Sequence, residues 1–139
     1  MMKRVSFDFD ECLGHSAYIQ EYCAELMTDP GIEVWIVTSR PRKPDDFFNR
    51  SENPTDDPWQ NEDDLFPLAE RLGIPKEHIV FTEWEFKADW FRTCGLTFKW
   101  HLDDDFKELR EIAGIPNGPV PISCAHSNWI NKCNRLLLK

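Results

Sequence analysis

Asp8 and Asp10 stand one residue apart at the end of the apolar run that starts at Val5. In a strand that continued, their side chains would share one face; a run of this kind more often leaves the sheet at that point. Either way, two carboxylates sit at one strand end. Carboxylates that close repel each other unless a cation lies between them, and hard oxygen donors suit magnesium. Acids also close strands for no chemical reason, so the rest of the chain must decide. It supplies Thr38, Ser39 and Arg40 after a second apolar run, Lys87 at the start of a helical pattern, and Asp103, Asp104 and Asp105 after a further strand-like segment.

The elements that would position these groups alternate in type. Residues 5–8 read as a first strand. Ser16 opens a helix with Ile19, Tyr22, Cys23, Leu26 and Met27 at the 3.6-residue period, and Asp29-Pro30-Gly31 stops it. Residues 32–38 are nearly all apolar and β-branched, which suits a central strand covered on both faces. A helix over 64–72 has Leu65, Leu68, Ala69 and Leu72 inward and Gly73 at its end. Residues 78–82 form a third strand, and 86–94 a helix with Phe86, Trp90 and Phe91 inward. Residues 97–102 alternate as a fourth strand, leaving His101 facing a covering helix or solvent. Phe106, Leu109, Ile112 and Ala113 mark the next helix, with Asp105 as its N-cap. Residues 120–124 make a fifth strand, placed at a sheet edge by Pro121, which cannot donate to a ladder. The last helix starts at Ser127 as N-cap and buries Trp129, Ile130, Cys133, Leu136 and Leu137. Strands alternating with helices predict an α/β fold with a parallel sheet covered on both faces, whose ligand crevice lies beyond the carboxyl ends of the strands. Every chemically suggestive group lies at such an end.

At 139 residues the chain has room for one domain, 1–139, with an acidic, Pro- and Asp-rich loop over 40–63. Its net charge of -9 and pI near 4.8 argue against a broad nucleic-acid or anionic-membrane surface. No apolar run reaches the ~18 residues of a membrane span, and no signal segment opens the chain. The five cysteines are odd in number and include no C-x-x-C pair, which fits reduced thiols in a cytoplasmic setting.

In order, these groups resemble the four motifs of the haloacid dehalogenase superfamily. Asp8-Phe9-Asp10-Glu11-Cys12 is similar to its DxDx(T/V) motif, with Cys12 in the last place. Ile36-Val37-Thr38 is similar to the strand ending in Thr or Ser, Lys87 to the lysine at a helix start, and Leu102-Asp103-Asp104 to the strand ending in paired acids. The resemblance implies a Rossmann-like three-layer sandwich with a five-stranded parallel sheet in the order 5-4-1-2-3. It implies Asp8 as a nucleophile that forms an aspartyl-phosphate, and Asp10 as general acid and base. Magnesium would be held by Asp8, the Asp10 main-chain carbonyl and an acid of the fourth motif, Asp104 with Asp103 as its neighbour. Thr38 would bind phosphate oxygens and Lys87 would stabilise Asp8 and the transferring group.

The short spacers after strands one and three resemble capless members, whose open crevice suits a phosphorylated small molecule or a macromolecular terminal phosphate. Thr38-Ser39-Arg40-Pro41 resembles nucleotidases and polynucleotide 3′-phosphatases, where an arginine contacts phosphate; Arg40 pairing with a loop acid is the other reading. Ser39 and Trp84 join the expected substrate-binding set, Trp84 as a stacking platform or a core residue. The alternative function is a catalytically inactive acidic binding protein.

Overall fold

The structure, a computed structural model, describes residues 2–43 and 61–139. Residues 44–60, the bulk of the acidic loop, lie outside the described residues. Five strands, β1 (Lys3–Phe7), β2 (Ile32–Thr38), β3 (Ile79–Phe81), β4 (Trp100–Asp103) and β5 (Val120–Ser123), form one sheet in the order β3-β2-β1-β4-β5, with every pair parallel. This is the expected α/β architecture and strand order. Helices α1 (Ala17–Met27), α2 (Leu65–Leu72), α3 (Lys87–Thr93), α4 (Phe106–Ala113) and α5 (Trp129–Leu137) flank it. Pro121 lies on β5, an edge strand bonded only to β4.

Side-chain alternation sorts the two faces. Val5 and Phe7 of β1, Val34 and Ile36 of β2, and Trp100 and Leu102 of β4 pack with Ile19, Leu26, Leu65 and Cys133 in the larger core, under α1, α2 and α5. On the opposite face Val37, Ala88, Phe91, Phe98 and Ile112 form a smaller core under α3 and α4. The intervening residues of β1 and β4, Ser6 and His101, carry no apolar bulk to that second face and are nonetheless buried, as are Asp8 and Asp103 further along it. A buried polar row therefore runs along that face toward the strand ends, beside the smaller core.

Caps follow the sequence closely. Ser16 accepts the Ile19 amide, the Asp105 carboxylate accepts those of Lys107 and Glu108, and Gly73 closes α2 at φ 85°. Several expectations need correction. Phe86 sits just before α3 and is 44% exposed, because Ala88 and Phe91 supply the buried face of that helix. Phe106 is 80% exposed; the inward face of α4 is taken by Ile112 and by Glu108, a carboxylate that periodicity of apolar residues cannot reveal. The cap position of α5 is Asn128, without a side-chain hydrogen bond, and only Cys133 of that helix is fully buried, because it covers the edge of the sheet. Among the described residues no helix is long and apolar enough to cross a membrane.

Candidate active site

β1 stops at Phe7, so Asp8 and Asp10 belong to the turn that leaves the sheet. The Asp8 amide donates to the Leu102 carbonyl at 2.8 Å, keeping the chain on β4 for one more residue. The Leu13 amide then reaches back to the Asp8 carbonyl (3.2 Å) and Gly14 to that of Phe9 (2.8 Å), closing a wide turn with Glu11 left-handed at φ 56°. A Cβ on Gly14 would lie 2.8 Å from the Phe9 ring, so a larger residue there would force the turn open. Ser16 starts α1 directly behind. The turn aims both aspartates at the same crevice, of about 220 Å³.

Lys87 enters that crevice from the first position of α3. Its Nζ donates to Asp8 Oδ1 at 2.7 Å and to Asp103 Oδ2 at 2.6 Å, and all three side chains are buried. The His101 ring nitrogen Nε2 is also 2.7 Å from Asp103 Oδ2, and the Asp105 amide donates to Asp103 Oδ1 at 3.0 Å. Burial pushes the Asp103 carboxyl up, but the His101 hydrogen bond and the Lys87 ammonium outweigh it and hold the group well below the usual carboxylate range. Burial would likewise lower Lys87, yet its two carboxylate partners hold it above its ordinary value. For Asp8 burial wins. It drives the carboxyl well up against the pull of Lys87, and the neighbouring Asp103 charge adds to the rise. Asp103 thus has Lys87, His101 and the Asp105 amide as donors, and Asp8 is the carboxyl with less compensating charge around it.

Asp104 supplies the place where more positive charge could go. It is exposed, within hydrogen-bonding reach of Asp8, and burial against its neighbours raises its carboxyl as well. Asp8, Asp103 and Asp104 each offer an oxygen within 4.8 Å of the others. Asp103 has both oxygens engaged, which leaves Asp8 and Asp104 as the pair with open lone pairs. Seven carboxyl groups and one ammonium line the crevice, a charge balance that repels an anion unless a cation is present. An all-oxygen set of this kind fits magnesium or calcium.

The exits of β2 and β3 form the neighbouring wall. The Thr82 amide donates to the Thr38 carbonyl (2.9 Å), Glu83 to Arg40 (3.3 Å) and Trp84 to Ser39 (2.8 Å), and both Glu83 and Trp84 adopt positive φ to do so. Ser39 lines the crevice. Thr38 is fully buried, its hydroxyl accepting the Arg40 amide at 3.2 Å. Arg40 takes the acid-pairing arrangement. Its Nε and Nη2 donate to the two oxygens of Asp10 (2.9 and 2.7 Å), and Nη1 and Nη2 to those of Asp64 (both 2.8 Å), while Asn61 accepts from Nη1 at 3.2 Å. Its ring neighbour is Phe9, 4.8 Å below the guanidinium. Asp10, 46% exposed, is therefore held at the crevice mouth and away from the three-acid cluster. Trp84 is half exposed and meets Ser39 through its backbone, outside the crevice lining.

The structure thus gathers Asp8, Asp10, Ser39, Lys87, Asp103 and Asp104 around one space and sets Thr38, Arg40 and Trp84 behind or beside it. Sequence reading missed His101, Ser6, Glu108 and Asp64. For His101 a signal existed: it precedes Asp103 by two residues on one strand and so shares its face. Glu108, which accepts the Lys87 amide at 3.3 Å, left none. No protein-family model, curated protein or solved structure matches the chain.

Proposed function

We propose that this chain is a capless phosphomonoester phosphatase of the haloacid dehalogenase type that works through an aspartyl-phosphate on Asp8. The observation that carries the reading is the Asp8–Lys87–Asp103 cluster with Asp104 beside it, assembled from the ends of β1 and β4 and the start of α3. An Asp8 oxygen attacks phosphorus, the bond from phosphorus to the leaving oxygen breaks, and Asp10 gives that oxygen its proton. Asp10 then takes a proton from water as the water oxygen attacks the same phosphorus, and Asp8 is released with inorganic phosphate. Lys87 offsets charge on Asp8 and on the phosphoryl oxygens, the Ser39 hydroxyl orients those oxygens, and Thr38 holds the Arg40 amide behind it. Magnesium, held by Asp8, Asp104 and the Asp10 carbonyl, would supply the positive charge the acidic crevice lacks. Because Arg40 is shared with Asp64, it keeps a carboxylate partner when Asp10 takes up a proton. Substrates would be phosphorylated small molecules or terminal phosphates reachable by an open crevice.

The first test is hydrolysis of p-nitrophenyl phosphate and nucleoside monophosphates with magnesium chloride or with EDTA; turnover indifferent to EDTA refutes the proposal. Asp10→Asn is expected to retain magnesium affinity in calorimetry and to lose turnover of poor leaving groups by roughly 10²-fold or more, the scale of a general acid. Activated aryl phosphates should still form the aspartyl-phosphate. Loss of magnesium binding in Asp10→Asn would refute the assignment of Asp10 as acid and base.

Cation and pH should be linked. The raised Asp8 and Asp104 carboxyls keep protons that the unfolded chain has already released, so without a cation stability falls as pH rises through their folded values. Magnesium needs the ionised form, and its stabilisation grows over that same window. The unfolding free energy from calorimetry with and without magnesium chloride is expected to diverge as pH rises above the ordinary carboxylate range, the gap reaching roughly 1.5–3 kcal/mol at a ten- to hundredfold excess over Kd. A gap that narrows with rising pH would contradict this.

A further inference from the structure

A buried polar chain continues from the crevice into the sheet. Ser6 and His101 are partners in the β1–β4 register, and both are completely buried. Ser6 Oγ lies 2.8 Å from His101 Nδ1, and His101 Nε2 lies 2.7 Å from Asp103 Oδ2. That oxygen is the one that also accepts from Lys87 Nζ, whose other partner is Asp8. An ionised carboxylate only accepts, so the proton of the imidazole is on Nε2, and Nδ1 accepts from the Ser6 hydroxyl. The Phe91 ring, 5.4 Å away at 63°, packs against the imidazole and limits its rotation.

We infer that His101, with Ser6 behind it, is a positioning residue: its Nε2–H fixes the Asp103 carboxylate, which in turn aims the Lys87 ammonium at Asp8. The lysine stem has four rotatable bonds, and without the His101 donor on Oδ2 the carboxylate keeps only the Asp105 amide on Oδ1 as a fixed partner, so it can swing about that contact and carry the ammonium with it. A displacement of about 1 Å in such a group costs on the order of 10²-fold in rate. The kinetic consequence rests on the phosphatase reading; the geometric one does not.

The experiment uses the intact chain and three variants, His101→Leu, His101→Gln and Ser6→Ala. In wild-type protein, ¹H–¹⁵N NMR should show the imidazole proton on Nε2 and a slowly exchanging Lys87 ammonium. His101→Leu should lose the ammonium signal while the backbone spectrum stays folded. His101→Gln, whose side-chain amide can place an N–H where Nε2–H stood, should restore it. With p-nitrophenyl phosphate and magnesium, His101→Leu should lower kcat roughly 10- to 100-fold at a KM within about threefold of wild type, and His101→Gln should recover most of the loss. Ser6→Ala, a smaller change that keeps the ring, should shift the Nε2–H resonance and speed exchange of the ammonium, and it decides the matter if His101→Leu does not fold. A proton found on Nδ1 overturns the inference. So does an ammonium equally protected in wild type, His101→Leu and Ser6→Ala, or a Gln variant no better than Leu. Absence of any phosphatase turnover in wild type would instead overturn the proposed activity, and the NMR arm would still decide the role of His101.

Discussion

Asp8→Asn is expected to lower hydrolysis of p-nitrophenyl phosphate by about 10⁴-fold or more, the scale seen when a covalent nucleophile is removed, without unfolding the protein. The amide has the shape of the carboxyl and still offers an oxygen to Lys87, which now lies 2.7 Å from Asp8 Oδ1. What disappears is an ionisable group that burial already disfavours as an anion. In EDTA the variant should therefore unfold within about 1 kcal/mol of wild type, while the gain from magnesium should vanish because one of the two open carboxylates is gone. Paired activity and thermal unfolding measurements separate these effects. Substantial residual activity would remove Asp8 from the nucleophile's role.

Lys87→Met should do the reverse and act first on stability. Met fills much of the volume of the lysine stem, but it leaves Asp8 and Asp103 buried side by side with no ammonium between them. Removing one partner of a buried ion pair costs about 3–5 kcal/mol, and at roughly 3–5 °C per kcal/mol for a domain of this size Tm should fall by more than about 10 °C. The sign with pH follows from the carboxylates. Without Lys87 the folded Asp103 carboxyl rises, so the loss is greatest above the ordinary carboxylate range and shrinks as pH falls toward about 4. Asp8→Asn in the Lys87→Met background should recover little of the loss, since burial already disfavours the Asp8 anion and the charge left without its partner is that of Asp103. Urea unfolding of the single and double variants checks both points. A Lys87→Met cost below about 1 kcal/mol would show that the ammonium is not the counter-charge of this cluster.

Asp8, Lys87, Asp103 and Asp104 were legible in the sequence because each ends or begins an element whose apolar pattern is strong. Once the strands are taken as parallel, their carboxyl ends must lie together. The strand order came with the resemblance and is the order observed, with Pro121 on the edge strand as its missing N–H requires. Arg40 illustrates what pattern cannot supply. Its position after β2 was clear, but its four bonds to Asp10 and Asp64 depend on where α2 starts in space. His101 and Ser6 look like ordinary alternating strand residues. Only the β1–β4 register, which joins residues 95 apart in the chain, makes them partners. Phe106 failed for a related reason: its helix spends its inward face on Glu108 and Ile112.

The same register has a consequence for how the chain acquires its shape during synthesis. β1 is the central strand, and its β2 neighbour follows within a few tens of residues, but its other neighbour, β4, is made far later. At about 5–20 residues per second, one edge of β1 waits roughly 5–20 s on the ribosome with its backbone donors and acceptors open. The nascent β1–α1–β2 unit carries Asp8 and Asp10 from the start, yet Lys87, Asp103 and Asp104 reach them only when β4 docks. Half-made chains hold two acids without that ammonium, so the site is born when β4 closes the open edge of β1, before β5 adds the last strand.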